Sequence, residues 1–139
     1  MPGNETVAKG KRAFLPTIWM KNDFTAGQTV GVAMLIAGFP TSIVAFPLLR
    51  KTSVLSVGIL LSAPVTAGFI RFELTKNGAA TGKTMDMNAA AGTRKLWEFE
   101  PGALVGNKGD EVGVLWGSNG TLAPSGSIDG VLFFEVQDA

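Results

Sequence analysis

The stretch Ile70-Arg71-Phe72-Glu73-Leu74-Thr75-Lys76-Asn77-Gly78 decides the fold. Its apolar side chains fall at every second position, and it closes on Asn-Gly. Side chains alternate faces along a strand, so this period of two marks a half-buried strand, and Asn-Gly is the pair that a two-residue hairpin favours. The same phrase runs outward in both directions. Before it, Leu55, Val57, Ile59 and Leu61 alternate until Ala63-Pro64 and Ala67-Gly68 interrupt them. After it come Met85-Met87, Trp97-Phe99, Val112-Val114-Trp116 and Leu132-Phe134-Val136. Strands about ten residues apart with turn signals between them predict an all-β antiparallel sandwich.

The N-terminal third extends this pattern less regularly. Ala13 to Phe24 reads as a first strand with Phe14, Ile18 and Met20 on one face. Thr29 to Ala37 reads as a second, with Val30, Val32, Met34 and Ile36 on one face, closed by Gly38 and Pro40. Ile43 to Leu49 is a shorter third, and Pro47 places it at a sheet edge because proline donates nothing to a ladder. Between Met85 and Leu96 the run Ala89-Ala90-Ala91 ends at Gly92 and is expected to be a loop. Residues 1–12 carry only Val7 and Ala8 among polar and glycine neighbours, which predicts an extended arm ahead of a single sandwich domain, 13–139.

Composition narrows the function classes. Charged residues make up 17% of the 139 residues, against roughly a quarter in typical soluble domains. A surface so poor in charge suggests cover by partners. The net charge of +1 gives no drive toward nucleic acid. With no cysteine there are no disulfides and no thiolate chemistry. The N-terminus has no apolar core of a signal peptide, so synthesis and assembly inside a cell are expected. Residues 25–49 and 52–70 lack charge and approach the length of a membrane span, but Gly38, Pro40, Pro47, Gly58, Pro64 and Gly68 interrupt them, and both alternate. They read as buried strands, with no membrane partner.

Residues that could carry chemistry do not assemble in the sequence. There is no His and no Cys, and Asp23, Asp86, Asp110, Asp129 and Asp138 are scattered, so no metal site is expected. Asp110-Glu111 follows Asn107-Lys108-Gly109 and fits a turn. Glu98 and Glu100 alternate with Trp97 and Phe99 and would share a face, the only pair that could serve a glycosidase. Gly78-Ala79-Ala80-Thr81-Gly82-Lys83-Thr84 has the wrong glycine spacing for a phosphate loop and reads as a hairpin. The reading is therefore a non-enzyme without cofactor. Trp97 and Trp116 take core registers, whereas Phe133 lies opposite Leu132 and Phe134, and Phe69 shares a face with Arg71 and Glu73. With Val131 and Leu60 they predict a subunit interface, since interface cores favour aromatics.

Residues 53–136 resemble β-sandwich modules in structural proteins of tailed bacteriophages. The resemblance lies in Leu55-Ser56-Val57, Thr66-Ala67-Gly68, Thr75-Lys76-Asn77-Gly78, Gly109-Asp110 with Val112-Gly113-Val114, and Leu122-Ala123-Pro124. It implies a jelly-roll-like sandwich and a virion protein made in the host cytoplasm, most like a capsid decoration (cement) protein. Such a protein would form a homotrimer and bridge major capsid protein subunits. Lys9, Lys11 and Arg12 on the arm, with Phe69 and Phe133, are then the candidate subunit or capsid contacts. The alternative is a head-fibre or tail-tip module that binds a host surface ligand near Asn107-Lys108 or Ser118-Asn119; a glycan-cleaving enzyme using Glu98 and Glu100 comes third.

Overall fold

In the computed structural model, which describes residues 12–38 and 43–139, the chain forms two antiparallel sheets packed face to face. The strands are β1 (Arg12–Phe14), β2 (Trp19–Phe24), β3 (Val32–Ala33), β4 (Leu35–Ile36), β5 (Ala45–Pro47), β6 (Thr52–Leu61), β7 (Phe69–Lys76), β8 (Ala79–Asn88), β9 (Arg94–Glu98), β10 (Val105–Gly106), β11 (Glu111–Ser118) and β12 (Ile128–Asp138). The seven-stranded sheet runs β10-β6-β12-β2-β4, with β1 added to β12 and β9 to β6. The five-stranded sheet runs β3-β11-β7-β8, with β5 added to β11. The expected all-β, jelly-roll-like sandwich is what the chain forms. Lys9 and Lys11 lie outside the described residues, whereas Arg12 opens β1, opposite Gln137.

The inner faces hold one apolar core. Trp19, Phe24, Val57, Ile59, Leu132 and Phe134 meet Ile70, Phe72, Leu74, Met85, Val114 and Trp116, all buried. Trp19 stacks on Phe134 with centroids 4.7 Å apart, and Phe24 meets both Phe72 and Trp116 edge to face, at 5.8 and 5.0 Å. Trp97 joins from the side, half-buried, with the Lys95 ammonium 5.0 Å from its ring. The hairpin at Asn77-Gly78 has positive φ at both residues, 54° and 80°, as a type I′ turn demands. Pro47 sits in β5, which among the described residues pairs only with β11, as the edge placement requires.

Four expectations change. Ala13 to Phe24 is two strands, because Pro16 breaks the ladder between β1 and β2. Its Phe14 and Ile18 face solvent, and the core residues are Trp19 and Phe24. Thr29 to Ala37 does not stay in one sheet. Met34 is fully buried and its N–H donates to Val114 O at 2.8 Å, so the chain pairs with β11 before it and with β2 after it. The alanine run forms one 3-10 turn, Ala89–Ala91, because Asn88 Oδ1 accepts the Ala90 N–H at 3.1 Å and Gly92 ends it at φ 70°. Glu100 lies beyond the end of β9, so it does not continue the strand face of Glu98. No helix among the described residues is long and apolar enough to cross a membrane.

Loops are tied down by their own polar groups. Asp110 accepts the Asn107 N–H at 2.8 Å and Asn77 Nδ2–H at 3.1 Å, and these bonds, the Asn107 one first, hold its carboxyl below the ordinary carboxylate pKa. A carboxyl lowered on folding stabilises the fold above its unfolded pKa, and that contribution is lost as pH falls through the folded value. Acid titration followed by NMR should therefore move the Asn107 and Asn77 amide signals together, below the ordinary aspartate range. Movement at or above that range would mean the latch is not formed.

Candidate functional site

The outer face of the seven-stranded sheet is apolar across its middle. Register places Leu96, Gly58 and Phe133 in one row, and Arg94, Leu60, Val131, Met20 and Leu35 in the next. Phe14, Ile18, Leu35, Leu60 and Leu96 are between 44% and 67% exposed, which is unusual for one side of one sheet. Gly58 makes the arrangement possible, because a Cβ there would run into the Phe133 ring. The ring lies over Gly58 and meets Phe14 edge to face, with centroids 6.3 Å apart.

This face opens into a groove of about 860 Å³. Phe14, Ile18, Leu60, Val131 and Phe133 line it together with Ile43 and Phe46. Trp19 Nε1–H donates to Val44 O at 2.9 Å and ties β2 to the residue that precedes β5. One end of the face is polar: Glu135, Ser56 and Glu98 form a row, Ser56 Oγ–H donates to Glu135 Oε1 at 3.3 Å, and the Arg12 guanidinium stands 3.9 Å from the same carboxylate. Exposed apolar surface of this extent is suited to excluding water against another macromolecule.

The sequence-predicted contact residues divide between the two sheets. Phe133 lies at the centre of the apolar face, beside Val131 and Leu60, with Arg12 at its polar end. Phe69 belongs to the other sheet, half-buried, with the Arg71 guanidinium 5.0 Å from its ring; Arg71 in turn holds Asp86 through two bonds of 2.7 and 2.8 Å. Sequence reasoning passed over Leu96 and Phe14 as parts of one surface. Their membership follows only from the pairing of β9 with β6 and of β1 with β12.

Of the two loop ends proposed for a host ligand, Asn107-Lys108 is exposed, with the Asn107 N–H held by Asp110, and Ser118-Asn119 is engaged internally. Asn119 Oδ1 accepts the Phe69 N–H at 3.1 Å, and Ser118 Oγ accepts the Gln28 N–H at 3.1 Å while donating to Thr25 O. Among the described residues, no three carboxylates gather as a metal site would require.

No protein family's sequence profile matches the chain, and no curated protein does. Among solved structures, these three are similar to it at low identity. A chain in the acidic stable capsid structure of Helicobacter pylori bacteriophage KHP30 is 12% identical, with 91% of each chain covered and a TM-score of 0.47. A family 35 carbohydrate-binding module from Clostridium thermocellum is 15% identical over 93% of this chain and 99% of that one, with a TM-score of 0.41. Pika GITRL is 16% identical over 84% and 93%, with a TM-score of 0.32. Likeness at this level carries no inference about function.

Proposed function

We propose that this chain is a structural protein of a tailed-phage virion: a non-enzymatic decoration protein that binds the outside of the capsid and stabilises it. The observation that carries the reading is the apolar outer face around Phe133, Leu60, Leu96 and Phe14. Burying it against the coat would remove from water the surface that a charge fraction of 17% leaves uncovered. The resemblance of residues 53–136 to phage sandwich modules supports the virion setting and is the support for a homotrimer that bridges major capsid protein subunits. A tail-tip or head-fibre role would need free polar groups at the loop ends; Ser118 and Asn119 are engaged in holding loops, which leaves Asn107-Lys108 as its remaining place.

The residues before Arg12 enter this reading as an arm over a neighbour. Deleting residues 1–11 should leave the melting temperature nearly unchanged while lowering occupancy on undecorated capsids, since an extended segment adds main-chain and apolar contacts along a second subunit. Lys9, Lys11 and Arg12 would act through screened surface pairs of roughly 0–1 kcal/mol each, so salt alone should not strip the protein off. Full occupancy and full heat stabilisation by the shortened chain would remove the arm from the account.

A further inference from the structure

We infer that β9 is a two-fold pairing strand, through which a second copy of this chain extends the seven-stranded sheet. The inference goes beyond the capsid reading and does not depend on it: this two-fold contact is separate from the three-fold association proposed above, and it doubles the mass whether single chains or trimers are joined. β9 is an edge: it pairs with β6 on one side and with nothing among the described residues on the other. Leu61 N–H donates to Thr93 O, and Phe99 N–H to Leu55 O, so alternate residues from Thr93 to Phe99 turn their main-chain groups toward β6. In an antiparallel ladder the residues between them, Arg94, Leu96 and Glu98, turn theirs outward. Those outward groups are a template for another strand.

The side chains specify what that strand is. Arg94, Leu96 and Glu98 stand on the outer face, level with Leu60, Gly58 and Ser56. Laid antiparallel on itself about Leu96, the sequence Arg94-Lys95-Leu96-Trp97-Glu98 is its own complement. Leu96 meets Leu96, Arg94 meets Glu98, and Glu98 meets Arg94 of the second copy. The parity also agrees, since each outward residue meets an outward residue. On the opposite side of the strand Lys95 meets Trp97, a cation–ring contact the chain already makes within itself. Within one copy, neither Arg94 nor Glu98 has an ion-pair partner among the described residues. Charges on an edge usually repel a second strand, and in this register these attract one.

The other long edge is guarded differently. β8 carries Gly82 at φ 79° and a register shift opposite Glu73 and Thr75, and the Gly82 N–H is held by Glu73 Oε2 at 3.1 Å. Such a bulge twists an edge out of use. β9 pairs with β6 without a register shift and contains no proline. Pairing through it joins two apolar faces side by side and leaves both open.

The test uses the full-length chain alone, so its outcome is separate from any capsid assay. Sedimentation equilibrium should show concentration-dependent doubling of mass. Arg94→Glu should weaken that association roughly tenfold, because it sets like charges opposite each other at both ends of the pairing. Arg94→Glu combined with Glu98→Arg should restore it, because the reversed pair is again self-complementary. Since the chain has no cysteine, Leu96→Cys places a single thiol on the axis, where paired strands bring Cα atoms within disulfide reach. Mild oxidation should convert it to a covalent dimer far faster than Thr84→Cys on β8. Equal masses for the wild-type and both charge variants, or equal cross-linking at Leu96 and Thr84, would overturn the pairing.

Discussion

Trp19→Ala should destabilise the chain by about 3–5 kcal/mol, the usual cost of emptying a fully buried aromatic site. Trp19 has no exposed surface, stacks on Phe134 at 4.7 Å and bonds Val44 O through its indole N–H. The loss would be a large share of the roughly 5–15 kcal/mol that holds an ordinary domain. Trp19→Phe separates the two contributions. It keeps a ring over Phe134 but leaves Val44 O without its donor, so it should cost about 1–3 kcal/mol. Urea unfolding of the three proteins checks both values. A change below about 1 kcal/mol for Trp19→Ala would mean that the stack with Phe134 is not central to the fold.

The second large effect is on attachment. Phe14→Glu combined with Leu60→Lys puts two charges into the apolar face, at positions 67% and 44% exposed in the free chain. Exposed sites tolerate such changes, so the melting temperature should move little. Affinity for undecorated capsids should fall by at least about a hundredfold, because each charge would be buried without a partner at the centre of the contact. A matching double change off this face, at Leu49 and Val32, also exposed, should leave occupancy intact. Equal loss from both pairs would point to general solubility or charge rather than to this surface.

Much of the architecture was legible in the residues. Asn77-Gly78, Pro47 and the alternation around Phe72, Val114 and Phe134 behave as their local chemistry dictates, because a turn, an edge and a half-buried strand each leave a short-range mark. Trp19 was not legible as core. By parity it falls with Thr17, Lys21 and Asp23, opposite Phe14, Ile18 and Met20, and only the register shift beside Asp23, whose φ is 57°, lets Trp19 and Phe24 both face inward. The crossing at Met34 was hidden for a related reason: a strand that changes sheets keeps its period while its partners change from β11 to β2.

The candidate surface was half visible. Phe133, Val131 and Leu60 stand out by parity alone. Gly58 reads in the sequence as a break in a strand, and only register reveals it as the seat of the Phe133 ring. The self-complementarity of Arg94 to Glu98 is equally silent until β9 is known to be an edge. Composition had suggested partners, but it cannot say where on the molecule they sit.

The most direct test of the account is a density map of the mature virion at a resolution that traces the chain. The account predicts this sandwich on the outer surface of the capsid, with Phe14, Leu60 and Phe133 turned toward the coat and covered by it. Density for the chain at the tail or on a fibre, or on the capsid with that face open to solvent, would contradict it.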